Sequence, residues 1–221
     1  NFDDAHNHGV RAFFLDNLRF WLQDVGFDGV RMDAVSLIFD NMPVHILREF
    51  TDLARAIGRA EGREVIMIAE HLRNNRFVTH EQGFHYHAQW NDDLNHAIYA
   101  FLTGETGRHY VNFGSFDDVV KALGSGFVLD GTRLDRHYRY FIGTDGRLTR
   151  PSEHVVHLQD HDQVGNRMAG DRLSGLLVPG AQAAGAALYL LGPTTPMIFM
   201  GEEWAASTPW QFFTSFEDEM L

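Results

Sequence analysis

The feature that most constrains the fold is a repeated alternation of short apolar runs with amphipathic helical stretches. The run EVIMIAE is almost continuously apolar and has the length of a strand, as in parallel strands buried on both faces. Helical periodicity precedes it: residues 9–25 carry apolar side chains at helical spacing, and Gly26 ends that helix. The alternation predicts an α/β fold, either an open parallel sheet or a (β/α)-barrel.

The same reading places the remaining elements along the chain. Strands are predicted in DGVRMD, EVIMIAE, the start of HAQWNDD, residues 153–162 and residues 196–201; helices are predicted in VHILREFTDLARAIGRA, NDDLNHAIYAFLTG, FDDVVKALGSG and VPGAQAAGAALYLLG. Residues 104–153 are rich in Gly, Arg and aromatics, and we predict a long elaborated loop there. Phe13, Phe14 and Trp21 follow the apolar stripe of the first helix, so we expect them in the core.

Composition excludes several classes of function. The chain has 18 basic and 30 acidic residues, a formal charge of −12, and no basic run, so we expect no nucleic-acid partner. It contains no cysteine and therefore no disulfide framework. The longest apolar stretch is broken by Gly192, Pro193 and Pro196, short of the ~20 residues of a membrane helix, so we expect no membrane partner.

Carboxylates follow several predicted strands. Asp33 and Glu70 each end an apolar run, and Asp160 and Asp162 follow another. In parallel α/β folds the active site lies at the carboxyl ends of the strands. A single such acid is more often the N-cap of the next helix, but three strand ends that supply acids together favour a site.

Two of these acids have different surroundings in the sequence. Arg31 and Asp33 are two residues apart on one strand and point the same way, so the guanidinium favours the ionised form of Asp33 and suits it to be a nucleophile. The same-face neighbours of Glu70 are Ile66 and Ile68, which favour a protonated general acid. Retaining glycosidases use such a pair about 5 Å apart.

Aromatic and histidine residues add two further indications. Aromatic side chains near predicted strand ends or in loops are compatible with stacking on sugar rings: Tyr86, Trp90, Trp204, Trp210, Phe212 and Phe213. The 13 histidines match no zinc signature and no cysteine accompanies them, so we expect no metal site. His161, next to Asp162, is placed to hydrogen-bond a substrate hydroxyl.

Three segments resemble, in order, the catalytic segments of the α-amylase-like glycoside hydrolases (glycoside hydrolase family 13): GFDGVRMDAV, VIMIAE and HLQDHDQ. The segments AQWNDDLNHAIYAFLTGE, QDHDQVGNR and TPMIFMGEEWAASTPWQFFTSF resemble the malto-oligosyltrehalose trehalohydrolase branch of that family. The resemblance runs across nearly all 221 residues. It implies a partial (β/α)8 TIM barrel, roughly strands four to eight with their helices, so that residues 1–221 form a single incomplete catalytic domain.

The resemblance also implies roles for individual residues. Asp33 would be the nucleophile, Glu70 the acid/base and Asp162 the transition-state stabiliser. Further substrate-binding positions are implied by the matching segments: Arg31, which orients Asp33, His161 at the cleaved sugar, and Trp90, Asn91, Asp92 and Gln163 along the cleft.

The implied reaction is retaining hydrolysis of the α-1,4-glucosidic bond next to the terminal trehalose unit of a malto-oligosaccharide, with release of trehalose. The partner would be that oligosaccharide, with no cofactor. The location would be cytoplasmic, and the pathway would be trehalose biosynthesis.

The chain departs from the family pattern in three places. Ser36 stands where the family often has His, and Asp160 stands where it usually has Asn. The family's first conserved segment, with an Asp and an Asn-His pair, has no match and would precede Asn1. An incomplete barrel leaves unpaired strand edges, so we expect these 221 residues alone to be unstable and inactive.

Three alternatives remain open from the sequence. A glycogen branching or debranching enzyme of the same family would use the same three acids. A non-catalytic glucan-binding relative would retain them without turnover. An α/β domain whose acids are only caps and ion pairs would need three coincidences.

Overall fold

The computed structural model describes residues 1–213, and the chain divides into two compact units. Unit 1 is Asn1–Trp90 with Leu148–His154, and unit 2 is Asn91–Arg147 with the residues from Val155 on. The strands of the described part are β1 (Gly29–Met32), β2 (Ile66–Ala69), β3 (Ala88–Trp90), β4 (His154–Val156) and β5 (Thr195–Pro196). Its α-helices are α1 (His8–Arg19), α2 (Ile46–Glu61), α3 (Asp92–Thr103), α4 (Phe116–Ser125), α5 (His161–Gly165), α6 (Leu173–Leu176) and α7 (Pro179–Leu190).

Unit 1 is built on three parallel strands. β1 pairs with β2 from Gly29 opposite Ile66 to Met32 opposite Ala69, and β2 pairs with β3. Glycine at position 29 is required by close approach, because a Cβ there would lie only 2.3 Å from the carbonyl oxygen of Ile66. The predicted strands DGVRMD and EVIMIAE are therefore confirmed, and they lie side by side.

Two helices cover this sheet. α1 continues into a π-helical turn, Phe20–Asp24, which confirms the helix expected over 9–25 with a different last turn. α2 begins after His45, whose Nδ1 accepts from the Leu47 amide at 3.2 Å, and ends at Gly62 in the left-handed region. Its apolar face packs into a core that belongs to unit 1 and includes Leu18, Leu22, Ile46, Leu47, Phe50, Ala54, Ile57, Met67 and Tyr86.

The expected burial of the aromatic stripe on the first helix is wrong. Phe13 is 67% exposed, Phe14 43% and Trp21 41%. The helix is instead buried through Leu18, and the turn after it through Leu22. The exposed rings pack largely against other rings nearby, for example Phe13 edge-on to Phe14 at 5.3 Å. The period identified the helix correctly, but the stripe is wider than the surface that unit 1 offers to cover it.

Unit 2 contains the parallel pair β4–β5, in which Val155 lies opposite Thr195. Both strands are shorter than the predicted 153–162 and 196–201. The residues after each strand find other hydrogen-bond partners: the Asp160 side chain caps α5, and the Glu202 carboxylate accepts from the Phe199 amide at 3.2 Å.

The helices of unit 2 have well-defined ends. Asn91 caps α3 and Gly104 ends it, while Ser115 and Asp118 form a capping box at the start of α4. The predicted helices in NDDLNHAIYAFLTG, FDDVVKALGSG and VPGAQAAGAALYLLG are confirmed as α3, α4 and α7. These helices enclose the second core, which includes Leu94, Ile98, Tyr99, Val119, Val128, Val156, Leu158 and Tyr189.

The segment 104–153, predicted as a long loop, carries α4 and otherwise consists of turns in unit 2 up to Arg147 and a short return in unit 1. Asp93 orders part of it by accepting the amides of Val128 and Leu129 at 2.8 and 2.7 Å. In residues 1–213 no helix combines the length and the apolar character needed to cross a bilayer.

Candidate active site

The ends of β1 and β2 bring Asp33 and Glu70 to matching positions. Met32 and Ala69 are register partners, and each acid is the next residue along its strand. The ladder continues past the strand ends: the Glu70 amide donates to the Met32 carbonyl at 2.9 Å, and the Val35 amide donates to the Glu70 carbonyl at 3.0 Å. The two acids are thus fixed at the carboxyl edge of the same sheet, where parallel α/β folds carry their sites.

One guanidinium holds both carboxylates. Arg31 Nη1 lies 2.5 Å from Asp33 Oδ1, and Arg31 Nη2 lies 2.8 Å from Glu70 Oε2. Two carboxyl groups that contact one planar guanidinium lie close to each other, which is compatible with the ~5 Å separation of retaining glycosidases. The side chains differ in accessibility, since Asp33 is 73% exposed and Glu70 only 12%.

The surroundings of Glu70 are more polar than the sequence predicts. Ile66 and Ile68 precede it on the same face of the strand, but its carboxylate contacts Arg31 and accepts the Ala34 amide at 2.8 Å. These contacts suit an ionised carboxylate. Ala34 has a left-handed backbone, φ 46° and ψ 40°, which costs a residue with a Cβ about 1–2 kcal/mol. The strained turn aims this amide at Glu70, and nothing in the sequence signalled it.

Trp90 supports the arginine. The Arg31 Cζ lies 4.0 Å from the centre of the Trp90 ring, and the tryptophan is 7% exposed. A guanidinium over an indole face is held by a cation–π interaction. Tyr86 is buried too, with its hydroxyl 2.9 Å from the Met32 sulfur. Both aromatics, predicted as sugar-stacking candidates, lie among protein groups in unit 1.

His71 follows Glu70 directly and was not predicted as a site residue. Burial and the nearby Arg73 lower the pKa of His71 to about 4, so the ring is neutral at physiological pH. The His71 Nδ1 accepts the Arg73 amide at 3.3 Å, which leaves Nε2 as the protonated nitrogen. A neutral donor therefore lies next in sequence to the candidate acid.

In unit 2, Asp160 is a buried cap. Its Oδ1 accepts the Gln163 amide at 2.7 Å, and its Oδ2 lies 3.3 Å from His157 Nε2. Burial alone would raise the pKa of Asp160, but His157, the Gln163 amide and His161 outweigh it and lower that pKa. This departure from the family pattern therefore has a structural use at the start of α5.

His161 and Asp162 occupy the first turn of α5. Their side chains are 29% and 40% exposed, and His161 Nε2 lies 3.6 Å from Asp162 Oδ2. The His161 ring meets Phe212 edge-on at 5.2 Å, and Phe212 stacks on Trp210 with the rings 9° from parallel. An accessible carboxylate, an imidazole and an exposed aromatic face thus lie together within unit 2.

The other predicted substrate-binding residues of unit 2 contact protein groups. Asn91 is buried, caps α3 and donates to the Gly126 carbonyl at 2.7 Å. Gln163 and Asn95 form a reciprocal amide pair. Asp92 Oδ1 lies 3.9 Å from His157 Nε2. Asp92 and Gln163 are thus in supporting positions around His157 and the start of α5, whereas Asn91 supports the start of α3.

Trp204 and the histidines were also singled out in the sequence. Trp204 is 72% exposed, so its ring is accessible. Across residues 1–213, no group of three or more His, Asp or Glu side chains is arranged to hold a metal ion.

Comparison with known proteins gives matches along the whole chain. No family model matches the chain. The malto-oligosyltrehalose trehalohydrolase of Rhizobium sp. is 43% identical over 230 residues, and that of Arthrobacter ramosus is 41% identical over 227 residues. Each match covers 100% of this chain. Over its whole length, the chain matches the malto-oligosyltrehalose trehalohydrolase family.

The chain spans only 38–39% of the length of these two trehalohydrolases. A crystal structure described as a putative α-amylase from Salmonella typhimurium superposes with a TM-score of 0.83 at 32% identity, covering 96% of this chain and 37% of that one. The fold is therefore α/β and corresponds to part of an α-amylase-type barrel. Of the trehalohydrolase-like segment TPMIFMGEEWAASTPWQFFTSF, residues 214–216 lie outside the described residues.

Proposed function

We propose that the full-length protein that contains this chain is a retaining glycoside hydrolase of the trehalohydrolase type. It cleaves the α-1,4-glucosidic bond next to the terminal trehalose unit of malto-oligosyltrehalose and releases trehalose. The observation that carries the proposal is the pair of carboxylates, Asp33 and Glu70, on one guanidinium at two adjacent strand ends. The names of the relatives supply the substrate class.

In the first half-reaction, Asp33 attacks the anomeric carbon and Glu70 gives a proton to the departing glycosidic oxygen. Asp33 has the accessible carboxylate, 73% exposed, and its contact with Arg31 orients it. Glu70 must take up a proton before this step.

In the second half-reaction, Glu70 accepts a proton from water while that water attacks the glycosyl–Asp33 ester. This step needs Glu70 as an anion, and the Arg31 and Ala34 contacts stabilise that form. Arg31 thus helps both acids, and Trp90 keeps the arginine in place.

In unit 2, the proposal assigns roles to Asp162 and His161. Asp162 would hydrogen-bond sugar hydroxyls more strongly as positive charge develops on the ring, which is differential binding of the transition state. His161 would contact the sugar at the cleavage point, with Phe212 packed against its ring. Trp90 acts in the proposal by holding Arg31, and Asn91 by capping α3. Asp92 and Gln163 support His157 and the start of α5. The proposed setting is cytoplasmic trehalose biosynthesis.

The test uses the full-length protein and malto-oligosyltrehalose, with trehalose measured by chromatography. Asp33→Asn and Glu70→Gln should each lower kcat by about 10³-fold or more, since each removes a covalent or proton-transfer role. Asp28→Asn is the matched control, because Asp28 precedes β1 at the opposite end of the same strand and is almost fully exposed.

Azide separates the two roles. With an activated α-glucosyl substrate, Asp33→Ala plus azide should give the β-glucosyl azide, and Glu70→Ala plus azide should give the α-azide. Chain transfer instead of free trehalose would favour a branching enzyme, and full turnover by Asp33→Ala would favour a non-catalytic role for these acids. Either result would contradict the proposal.

A further inference from the structure

A cavity of about 510 Å³ lies in unit 1 at the end of α2, beside the residues that precede β2 and β3. Its charged and polar lining consists of Arg55, Arg59, Arg63, Glu64 and His87. Glu64 comes before β2, whereas Glu70 comes after it, so the cavity lies at the opposite edge of the sheet from the candidate acids. It is a separate site.

The cavity is basic although the chain carries a formal charge of −12. Arg55 and Arg59 are four residues apart on α2, so two like charges lie side by side on one helix face and repel each other. Arg55 Nη1 is buried and forms no hydrogen bond in the described part of the chain. A buried charged donor without an acceptor is costly. Arg55 as a whole is only half-buried, so an anion in the cavity can reach its accessible side and offset a charge that no ion pair within the described residues offsets.

The acids near the cavity do not supply that acceptor. Asp52 is engaged by Arg48, whose Nε lies 2.9 and 3.0 Å from its two oxygens. Glu64 is 75% exposed, and its Oε1 lies 4.0 Å from His87 Nε2. Within residues 1–213, neither Arg55 nor Arg59 forms an ion pair.

Arg63 differs from the other two arginines. Its Nε lies 2.7 Å from Glu61 Oε2, and its Nη atoms donate to the carbonyls of Phe27 and Leu22. These contacts hold the Arg63 side chain in place in the lining of the cavity.

His87 contributes an oriented donor. Its Nδ1 accepts the Met67 amide at 3.0 Å, so in the neutral ring the proton is on Nε2. Burial and the charge of Arg55 lower the pKa of His87, against a smaller opposing effect of Glu64. The ring thus carries its N–H on Nε2, in a residue that lines the cavity together with Arg55 and Arg59.

We propose that this cavity binds the phosphate group of a small phosphorylated molecule of hexose phosphate size. Guanidinium forks match phosphate oxygens in bidentate geometry, and an imidazole N–H adds a third donor. A phosphate ion alone would leave most of the 510 Å³ empty, whereas the volume is typical of a site for a small metabolite. The rival explanation is that these arginines only offset the dipole at the end of α2. That explanation accounts for the exposed Arg59 but leaves the buried Nη1 of Arg55 without an acceptor.

Calorimetric titration of the full-length protein tests the proposal, with glucose 6-phosphate, inorganic phosphate and glucose as probes at constant ionic strength. We expect saturable 1:1 binding of glucose 6-phosphate, weaker binding of phosphate and none of glucose. Equal affinity for the two anions would overturn the hexose part and assign free phosphate as the ligand. No saturable binding of either anion would overturn the site.

Variants localise the binding. Arg55→Gln should weaken it about tenfold or more and Arg59→Gln about threefold, as expected for loss of one charge-assisted contact. Arg19→Gln, an exposed arginine on α1 with the same change in charge, should leave it unchanged. If Arg55→Gln does not fold, the exposed Arg59→Gln decides. Wild-type affinity in the Arg59 variant, and in a folded Arg55 variant, would support the dipole explanation. Trehalose release without phosphate should be the same in all three variants, so this test is independent of the proposed function.

Discussion

The two units use the acids that follow their strands in different ways. In unit 1, Asp33 and Glu70 lie on two nitrogens of Arg31, and the exposed and the buried carboxylate share one cation. In unit 2, the buried Asp160 is used by the backbone of α5 and by His157, while Asp162 stays accessible. Only one of the two acids in unit 2 is therefore available to a ligand.

The difference shows what fixes an acid in place. A guanidinium keeps its charge at every pH a protein meets, so the arrangement in unit 1 depends on a permanent cation. An imidazole is charged only when protonated, and the order in unit 2 rests on a helix N-terminus instead. The sequence pattern, an acid after an apolar run, is the same in both units. Variants and pH changes in the full-length protein should show how each unit holds its acids and its buried side chains.

The largest effect is expected for Arg31→Met. Removing the shared cation releases both carboxylates, so kcat/KM for trehalose release should fall about 10²–10³-fold, or ~3–4 kcal/mol of transition-state stabilisation. Arg31→Lys should recover only part of this, since an ammonium cannot bridge two carboxylates as a planar fork does. Arg19→Met, on the exposed face of α1, is the control. Activity of Arg31→Met within threefold of wild type would contradict the shared-cation arrangement.

The next effect separates Asp160 from Asp162. Asp162→Asn should lower kcat about 10²-fold and leave the melting temperature within ~1 °C, because its carboxylate is accessible. Asp160→Ala should cost ~1–2 kcal/mol through the lost cap and lower the Tm of the full-length protein by roughly 1–4 °C, because the shift per kcal/mol is smaller in a longer chain. Thermal melts and initial rates on both variants give the answer. The opposite assignment, with Asp160 essential for rate and Asp162 for stability, would reverse the comparison.

Acid should destabilise both units through neutral buried histidines. Burial lowers the pKa of His71 and of His154 in unit 1 to about 4, and that of His96 in unit 2 to about 3. Each folded pKa lies below the ordinary value near 6.5. The stabilisation is therefore present above pH ~6.5 and is lost as pH falls towards 4 and then 3. The NMR signals of these imidazole rings should still be those of the neutral form at pH 5, and Tm should decline below pH ~6. Titration near 6.5 would show that the rings are hydrated.

The smallest effect is expected at the turn after Asp33. Ala34→Gly removes the strain of the left-handed alanine but adds backbone freedom, so Tm should change by less than ~2 °C. The amide that contacts Glu70 becomes less fixed, and kcat should fall only about two- to fivefold. Ala34→Val, with a branched side chain in the same backbone conformation, should lower Tm by several degrees. No difference between the glycine and valine variants would indicate that the left-handed turn is absent in solution.

Much of this architecture could be predicted from periodicity. The helix period predicted α2, α3, α4 and α7, because a helix forms its own backbone hydrogen bonds and needs only one apolar face. The apolar runs predicted β1 and β2, because a strand that pairs with a neighbour inside the fold is apolar along most of its length. The predictions failed where the end of a strand or the burial of a side chain depends on residues elsewhere in the chain. The strand expected over 153–162 ends early because Asp160 turns to cap a helix, and Phe13 is exposed because burial depends on what another segment covers.

The candidate site was predictable to the same extent. Acids after strands identified Asp33 and Glu70, and their spacing from Arg31 identified the first ion pair. The second contact of Arg31, with Glu70, depends on strand register, and the packing of Trp90 under the arginine depends on tertiary structure. Neither has a local sequence signal.

Gly29 has a consequence at the far end of its strand. The two backbones approach so closely there that a methyl group would collide with the Ile66 carbonyl, which anchors β1 against β2 four residues before the first acid. A slip of one residue would bring Val30 to that narrow point and turn Asp33 to the other face of the sheet. Because Gly29 has no Cβ, the start of the strand holds the register that aligns the two carboxyl groups at its other end.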